Sequence, residues 1–165
     1  MSKLLNARLL VLGGARSGKS TFAEHRAGLE TAVDYLATSQ VRSDDPEWVE
    51  RVRLHRARRP AHWVTLETID LPTELDRRTD TPLLIDCLTV WLTRQMDLAG
   101  IWEARPGCDD VLKAAVDQAV AAFGRATRPV IAVSNEVGQG LVPADAGSRR
   151  FRDEMGILNM RVAQA

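Results

Sequence analysis

Gly13-Gly14-Ala15-Arg16-Ser17-Gly18-Lys19-Ser20 is the stretch that decides the fold of this chain. The eight residues match G-x-x-x-x-G-K-[ST], and they sit in the setting that gives the match its meaning. The apolar run Leu9-Leu10-Val11-Leu12 precedes them, and a helix-compatible stretch follows. The glycines permit a tight backbone curl that turns successive N–H groups inward, and a helix beginning near Lys19 adds the positive end of its dipole. A loop of this kind cradles the phosphates of a nucleoside triphosphate. Lys19 is expected to reach the β- and γ-phosphates, and the Ser20 hydroxyl to bind Mg²⁺.

Outward from the loop, short β-type runs alternate with helix-length amphipathic stretches, the pattern of parallel strands joined by crossover helices. Strands are expected over residues 8–12, 33–37, 63–67, 83–86 and 130–134. Three runs are continuously apolar, Leu9 to Leu12, Leu83 to Ile85 and Val130 to Val133, as strands covered on both faces should be, and they are read as the central strands. Asp45-Pro46 reads as the start of a helix reaching about Arg58, with Pro60 beyond it. A second helix, carrying Leu88, Trp91, Leu92 and Met96, follows Asp86 directly. A third is capped by Asp109 and stopped by Gly124, and the last runs from about Ser148 with Phe151, Met155, Leu158 and Val162 on one face.

At 165 residues the chain is expected to form one domain, residues 1–165. Lys+Arg and Asp+Glu number 22 each, so the long-range positive field of a nucleic-acid binder is missing and any anion must be met locally. Only Lys3, Lys19 and Lys113 are lysines; the other bases are arginine. Cys87 and Cys108 are too few for a disulfide framework or a four-ligand zinc site, which fits a reducing cytoplasm. No stretch approaches the roughly 20 apolar residues of a membrane span.

A phosphate loop needs an acidic partner for its metal at the end of a neighbouring buried strand. Asp86, after Leu83-Leu84-Ile85, is best placed, although it could also cap the helix that begins at Leu88. A guanine-reading Asn-Lys-x-Asp is not found after Val133, where the chain reads Ser134-Asn135-Glu136-Val137-Gly138. A GTPase switch is thereby disfavoured, and small size and neutral charge disfavour a DNA-directed motor. A small-molecule kinase is the default reading; a nucleotide-dependent binding or assembly protein is the alternative from another class.

One segment exceeds what a simple kinase needs: Arg51-Val52-Arg53-Leu54-His55-Arg56-Ala57-Arg58-Arg59-Pro60. On a helix, Trp48, Val52, His55 and Arg59 share a stripe. An imidazole kept neutral by guanidinium neighbours is a plausible nucleophile toward phosphorus. On pattern alone, however, a packed helix histidine beside a solvated basic face is the preferred reading.

Taken together and in order, the motifs resemble a known family. They are the loop 13–20; Tyr35-Leu36-Ala37-Thr38-Ser39; His55-Arg56 with Arg59-Pro60; Trp63, Thr65 and Glu67; Asp86-Cys87-Leu88-Thr89 with Trp91-Leu92; Asn135-Glu136-Val137-Gly138 with Val142-Pro143; and Arg150-Phe151-Arg152-Asp153 with Gly156 and Asn159. This set resembles the bifunctional adenosylcobinamide kinase/adenosylcobinamide-phosphate guanylyltransferase family of cobalamin biosynthesis. The resemblance implies an α/β P-loop NTPase fold of the RecA-like branch, with a mostly parallel central sheet flanked by helices. It implies ATP and GTP as substrates, a divalent cation such as Mg²⁺, and a symmetric oligomer, trimeric in the familiar case. The family usually carries a further strand after the helix that ends this chain.

Carried over by position, the resemblance makes His55 the residue that is guanylylated. Residues Gly13, Gly14, Ala15, Arg16, Ser17, Gly18, Lys19 and Ser20 would bind the triphosphate, with Lys19 catalytic in phosphoryl transfer. Ala37, Thr38 and Ser39 would line the nucleotide site, Arg56, Ala57, Arg58 and Arg59 would contact nucleotide near the histidine, and Glu67 and Asp86 are the further acidic positions. Ser20 and Asp86 would hold the metal. Asn135 and Glu136 are expected near the site.

Overall fold

The computed structural model describes residues 7–39, 46–57 and 59–165, the side chains of residues 47, 48, 51 and 55 excepted. Five strands, β1 (Arg8–Gly13), β2 (Asp34–Ala37), β3 (Val64–Glu67), β4 (Leu83–Asp86) and β5 (Val130–Asn135), form one parallel sheet in the order β1-β5-β4-β2-β3. Among the described residues six helices accompany them: α1 (Lys19–Ala27), α2 (Pro46–Ala57), α3 (Leu71–Leu75), α4 (Leu88–Ala99), α5 (Cys108–Arg125) and α6 (Ala146–Gln164).

Apolarity without alternation is explained by burial on both faces. Leu83, Ile85, Val130 and Ala132 pack into one core with α3, α4, α5 and α6. Their strand neighbours Leu84, Ile131 and Val133 turn to the other face and join Ala23 and Ala27 of α1 with Val33, Tyr35 and Trp63. Period-two alternation thus persists in space, with an apolar partner waiting on each side.

The expected centrality of Leu9 to Leu12 is corrected. Among the described residues β1 stands at one edge, beyond β5, while β2 takes the interior place between β4 and β3. An apolar run reports that both faces are covered, not that both neighbours are strands. Here Leu9 and Val11 face the α1 core and Leu10 the opposite one, yet Leu12 is 41% exposed.

Helix ends also differ from expectation. Asp109 is not the cap of α5; Gly107, at φ +78°, precedes it, and Asp109 and Asp110 occupy the first turn, where their charge suits the dipole. Gly124 does not stop that helix, which runs to Arg125. Asp145 caps α6 by accepting the N–H of Ser148. Helix α3 has too few turns for periodicity to show it. Its signals are Asp70, which accepts Thr73 N–H at 3.2 Å, and Pro72 in the first turn. Asp45 lies outside the described residues.

Strand register then aligns the chemistry. Because all strands run the same way, their C-terminal ends share one edge of the sheet. There Gly13 pairs with Asn135, Ala37 with both Asp86 and Glu67, and Asp86 with Val133. Open α/β sheets bind ligands at this edge.

Candidate active site

The phosphate loop is shaped by backbone conformations that favour glycine. Gly18 sits at φ +85° immediately before α1, and Arg16 at φ +57°. Left-handed residues two apart bend the chain into a concave nest of N–H groups beneath the helix N-terminus. Ser17 N–H closes the turn on Gly14 C=O at 3.3 Å, and Lys19 Nζ donates to the same carbonyl at 3.0 Å. The lysine is thus folded back over the loop that phosphates would fill.

Lys19 and Ser20 open onto a cleft of about 250 Å³, also lined by Tyr35, Ala37, Ser39, Arg56, Arg59, Glu67, Asp86 and Asn135. Ser20 Oγ donates to Asp86 Oδ1 at 3.2 Å, joining the first residues of α1 to the end of β4. Both are hard oxygen ligands beside a phosphate cradle, the donor set that Mg²⁺ prefers when phosphates supply the rest. No group of three or more His, Cys, Asp or Glu that could hold a metal occurs among the described residues.

The basic side of the cleft comes from the end of α2 and the residues after it. Arg56 forms an ion pair with Glu67 at the end of β3. Arg59 is not on the α2 stripe, since that helix ends at Ala57; its guanidinium lies 3.4 Å from the centre of the Tyr35 ring, and Nη1 donates to Thr65 Oγ1 at 3.3 Å. Arg59 Nε is buried with no hydrogen-bond partner among the described residues, a donor available to a ligand. His55 belongs to α2 by its backbone; its side chain and those of Trp48 and Arg51 lie outside the described residues, as does Arg58. Ala57 is exposed and does not line the cleft.

Thr38 is placed differently from its neighbours Ala37 and Ser39. It is buried; its hydroxyl donates to Cys87 C=O at 2.8 Å and accepts Cys87 N–H at 3.2 Å, tying the end of β2 to the residue after Asp86. Burial first, and the Asp86 carboxylate second, push the Cys87 thiol above its ordinary value.

Five lining residues, Tyr35, Val52, Cys87, Val90 and Asn135, are absent from the binding positions inferred from sequence. Tyr35 and Cys87 stand within family motifs, and Val52 and Val90 within helices, but none carries a signal of a binding role, because an apolar or aromatic residue on a strand or helix reads as core. The sequence puts Asn135 near the site without a role of its own. Its N–H donates to Thr89 Oγ1 and its carbonyl accepts from Asn159 Nδ2, while its side-chain oxygen is buried with no partner among the described residues.

Comparison with known proteins gives this geometry its family. The profile described as cobinamide kinase / cobinamide phosphate guanyltransferase matches residues 9–165. The chain is 42% identical over 163 residues to the bifunctional adenosylcobalamin biosynthesis protein CobP of Pseudomonas aeruginosa, covering 95% of this chain and 87% of that protein. It is 39% and 36% identical over 166 residues to the proteins named CobU of Salmonella typhimurium and Escherichia coli, covering 95% of this chain and 90% of each. With nearly its whole length matched, from the phosphate loop through the arginine run to the last helix, the chain belongs to the cobinamide kinase / cobinamide phosphate guanyltransferase family.

Proposed function

We propose that this chain carries out two successive transfers in cobalamin biosynthesis. In the first, a hydroxyl oxygen of adenosylcobinamide attacks the γ-phosphorus of ATP or GTP. The bond to the β-phosphate oxygen breaks, the nucleoside diphosphate leaves, and the hydroxyl proton is released. In the second, an imidazole nitrogen of His55 attacks the α-phosphorus of GTP and pyrophosphate leaves. The new phosphate of the corrinoid then attacks the same phosphorus, the N–P bond breaks, and adenosylcobinamide-GDP is formed.

The observation that carries this reading is the meeting of two kinds of phosphate handling in one cleft: Lys19, Ser20 and Asp86 on one side, Arg56 and Arg59 on the other. The loop amides and Lys19 hold the β- and γ-phosphates in line. Ser20 and Asp86 would hold Mg²⁺, which supplies charge neutralisation at the β- and γ-oxygens. Arg56 and Arg59 meet the phosphate oxygens that a nucleophile must approach, and pair with them by planar, charge-assisted hydrogen bonds. Asn135 offers its side-chain amide to a substrate group at the cleft wall.

Incubation with GTP labelled in the α-phosphate tests the second transfer. Acid-labile label is expected on the chain, with a burst of pyrophosphate equal to the enzyme and no need of a corrinoid. A kinase of another pathway, or a binding protein, gives no such burst. Label that persists in His55→Ala overturns the histidine assignment.

The finer setting is part of the same proposal. We place the enzyme in the cytoplasm as a symmetric homo-oligomer, trimeric as the family resemblance implies. No helix among the described residues is long and apolar enough to cross a membrane. Leu141 at 96% exposure and Val142 at 66% form apolar surface that an assembly would cover.

A further inference from the structure

Tyr35 lines the cleft, yet nothing in the reactions set out above uses it. It is 1% exposed, and its hydroxyl donates to Asp86 Oδ2 at 2.5 Å. Ser20 Oγ reaches the other oxygen, Oδ1. The two oxygens of one carboxylate therefore answer to different partners, one structural and one at the phosphate loop.

Register explains how. Tyr35 is the direct partner of Leu84, so Asp86 is its diagonal neighbour on the adjacent strand and on the same face of the sheet, a separation that an aromatic side chain spans. The ring itself is fixed. The Arg59 guanidinium lies over it at 3.4 Å, and Trp63 stacks with it at a centroid distance of 6.4 Å.

From this geometry we infer that Tyr35 is a positioning residue for phosphoryl transfer: by holding Oδ2 of Asp86 it turns Oδ1 toward Ser20 and the cation beside the phosphates. The inference rests on the reading of Ser20 and Asp86 as the cation-holding pair. Mg²⁺ demands near-ideal octahedral geometry, and a carboxylate free to rotate about its last bond presents it poorly. Partners that orient a metal ligand are typically worth 10- to 100-fold in metal affinity.

Tyr35 is the chain's one tyrosine, which makes the test specific. Tyr35→Phe keeps the ring under Arg59 and deletes only the hydroxyl. With a non-hydrolysable GTP analogue bound, Mn²⁺ affinity measured by electron paramagnetic resonance is expected to fall about 10-fold. Analogue affinity in EDTA should stay within about two-fold, and kinase kcat should fall with little change in the corrinoid KM, as orientation of a distant ligand requires. Mn²⁺ affinity equal to wild type, even with a lowered thermal midpoint, would assign the hydroxyl to packing and overturn the inference. If the wild-type complex itself binds no Mn²⁺, the cation-site reading fails and takes this inference with it. Should Tyr35→Phe not fold, the wild-type sequence carrying 3-fluorotyrosine gives a single ¹⁹F resonance. That resonance is expected to shift as Mg²⁺ is added to the saturated analogue complex, and an unmoved one counts against the assignment.

Discussion

Lys19 shows how a single residue can be legible in sequence and yet need the structure for its state. Its place in the loop 13–20 predicts a phosphate contact, and in the folded chain its ammonium instead donates to Gly14 C=O. A phosphate arriving in the nest offers a charged acceptor in place of a neutral one, a stronger bond for the same donor. Lys19→Ala is accordingly expected to lower the rate of nucleoside diphosphate formation with adenosylcobinamide by about 10²- to 10³-fold, the usual loss for one donor aimed at developing charge. Full retention of rate would remove Lys19 from the mechanism. Asp86 is a different case. The sequence left it between metal ligand and helix cap; in space its oxygens take Ser20 and Tyr35, and Cys87 rather than Asp86 stands at the N-cap of α4 without a side-chain bond. Tyr35 opens a family motif, yet its role is not legible there, because an aromatic on a buried strand carries the signature of core whether or not its hydroxyl has a task.

Elements were recovered where their signal is local and lost where it is not. Strand spans follow from apolar runs bounded by polar residues, and α4 follows Asp86 as its spacing requires. Helix α2 was found through Pro46, but its end fell before Arg59, so the arginine leaves the helix and stacks on β2. The start of α6 is set by Asp145, whose carboxyl is held below its ordinary value, first by the Ser148 N–H and then by the Ser148 side chain. A depressed carboxyl stabilises the fold while ionised, so its contribution is complete above the unfolded value of about 4 and is lost as pH falls through the lower folded value. Asp145→Ala should therefore melt below wild type at pH 6, with the gap closing toward pH 2. Thermal denaturation followed by circular dichroism at both pH values measures this, and a gap equal at the two would exclude the charged cap as its cause.

At the scale of the whole molecule, the end of the sheet opposite the cleft is fastened by one buried cation. Arg128 has no exposed side-chain surface; it pairs with Asp34 at 2.5 Å and donates to Thr81 C=O at 2.7 and 2.9 Å and to Glu74 C=O at 3.3 Å. One guanidinium thereby ties the start of β2 to the segment before β4 and to α3. Deleting it strands a carboxylate and two carbonyls, so Arg128→Ala should cost about 3–5 kcal/mol in urea unfolding, far more than any exposed pair. A loss below about 1 kcal/mol would show that solvent replaces the guanidinium. Nothing in the sequence marked Arg128 among so many arginines, because its burial depends on which three segments the fold brings together.

That contrast holds for the molecule at large. The loop 13–20, the alternation of strands with helices and the family motifs belong to the sequence, because backbone curl, period and spacing are local properties that each segment carries within itself. The edge position of β1, the inward turn of Thr38, the grip of Tyr35 on Asp86 and the burial of Arg128 were decided only by tertiary structure. Each depends on strand order and register, which set residues far apart in the chain side by side, and no local pattern encodes that pairing.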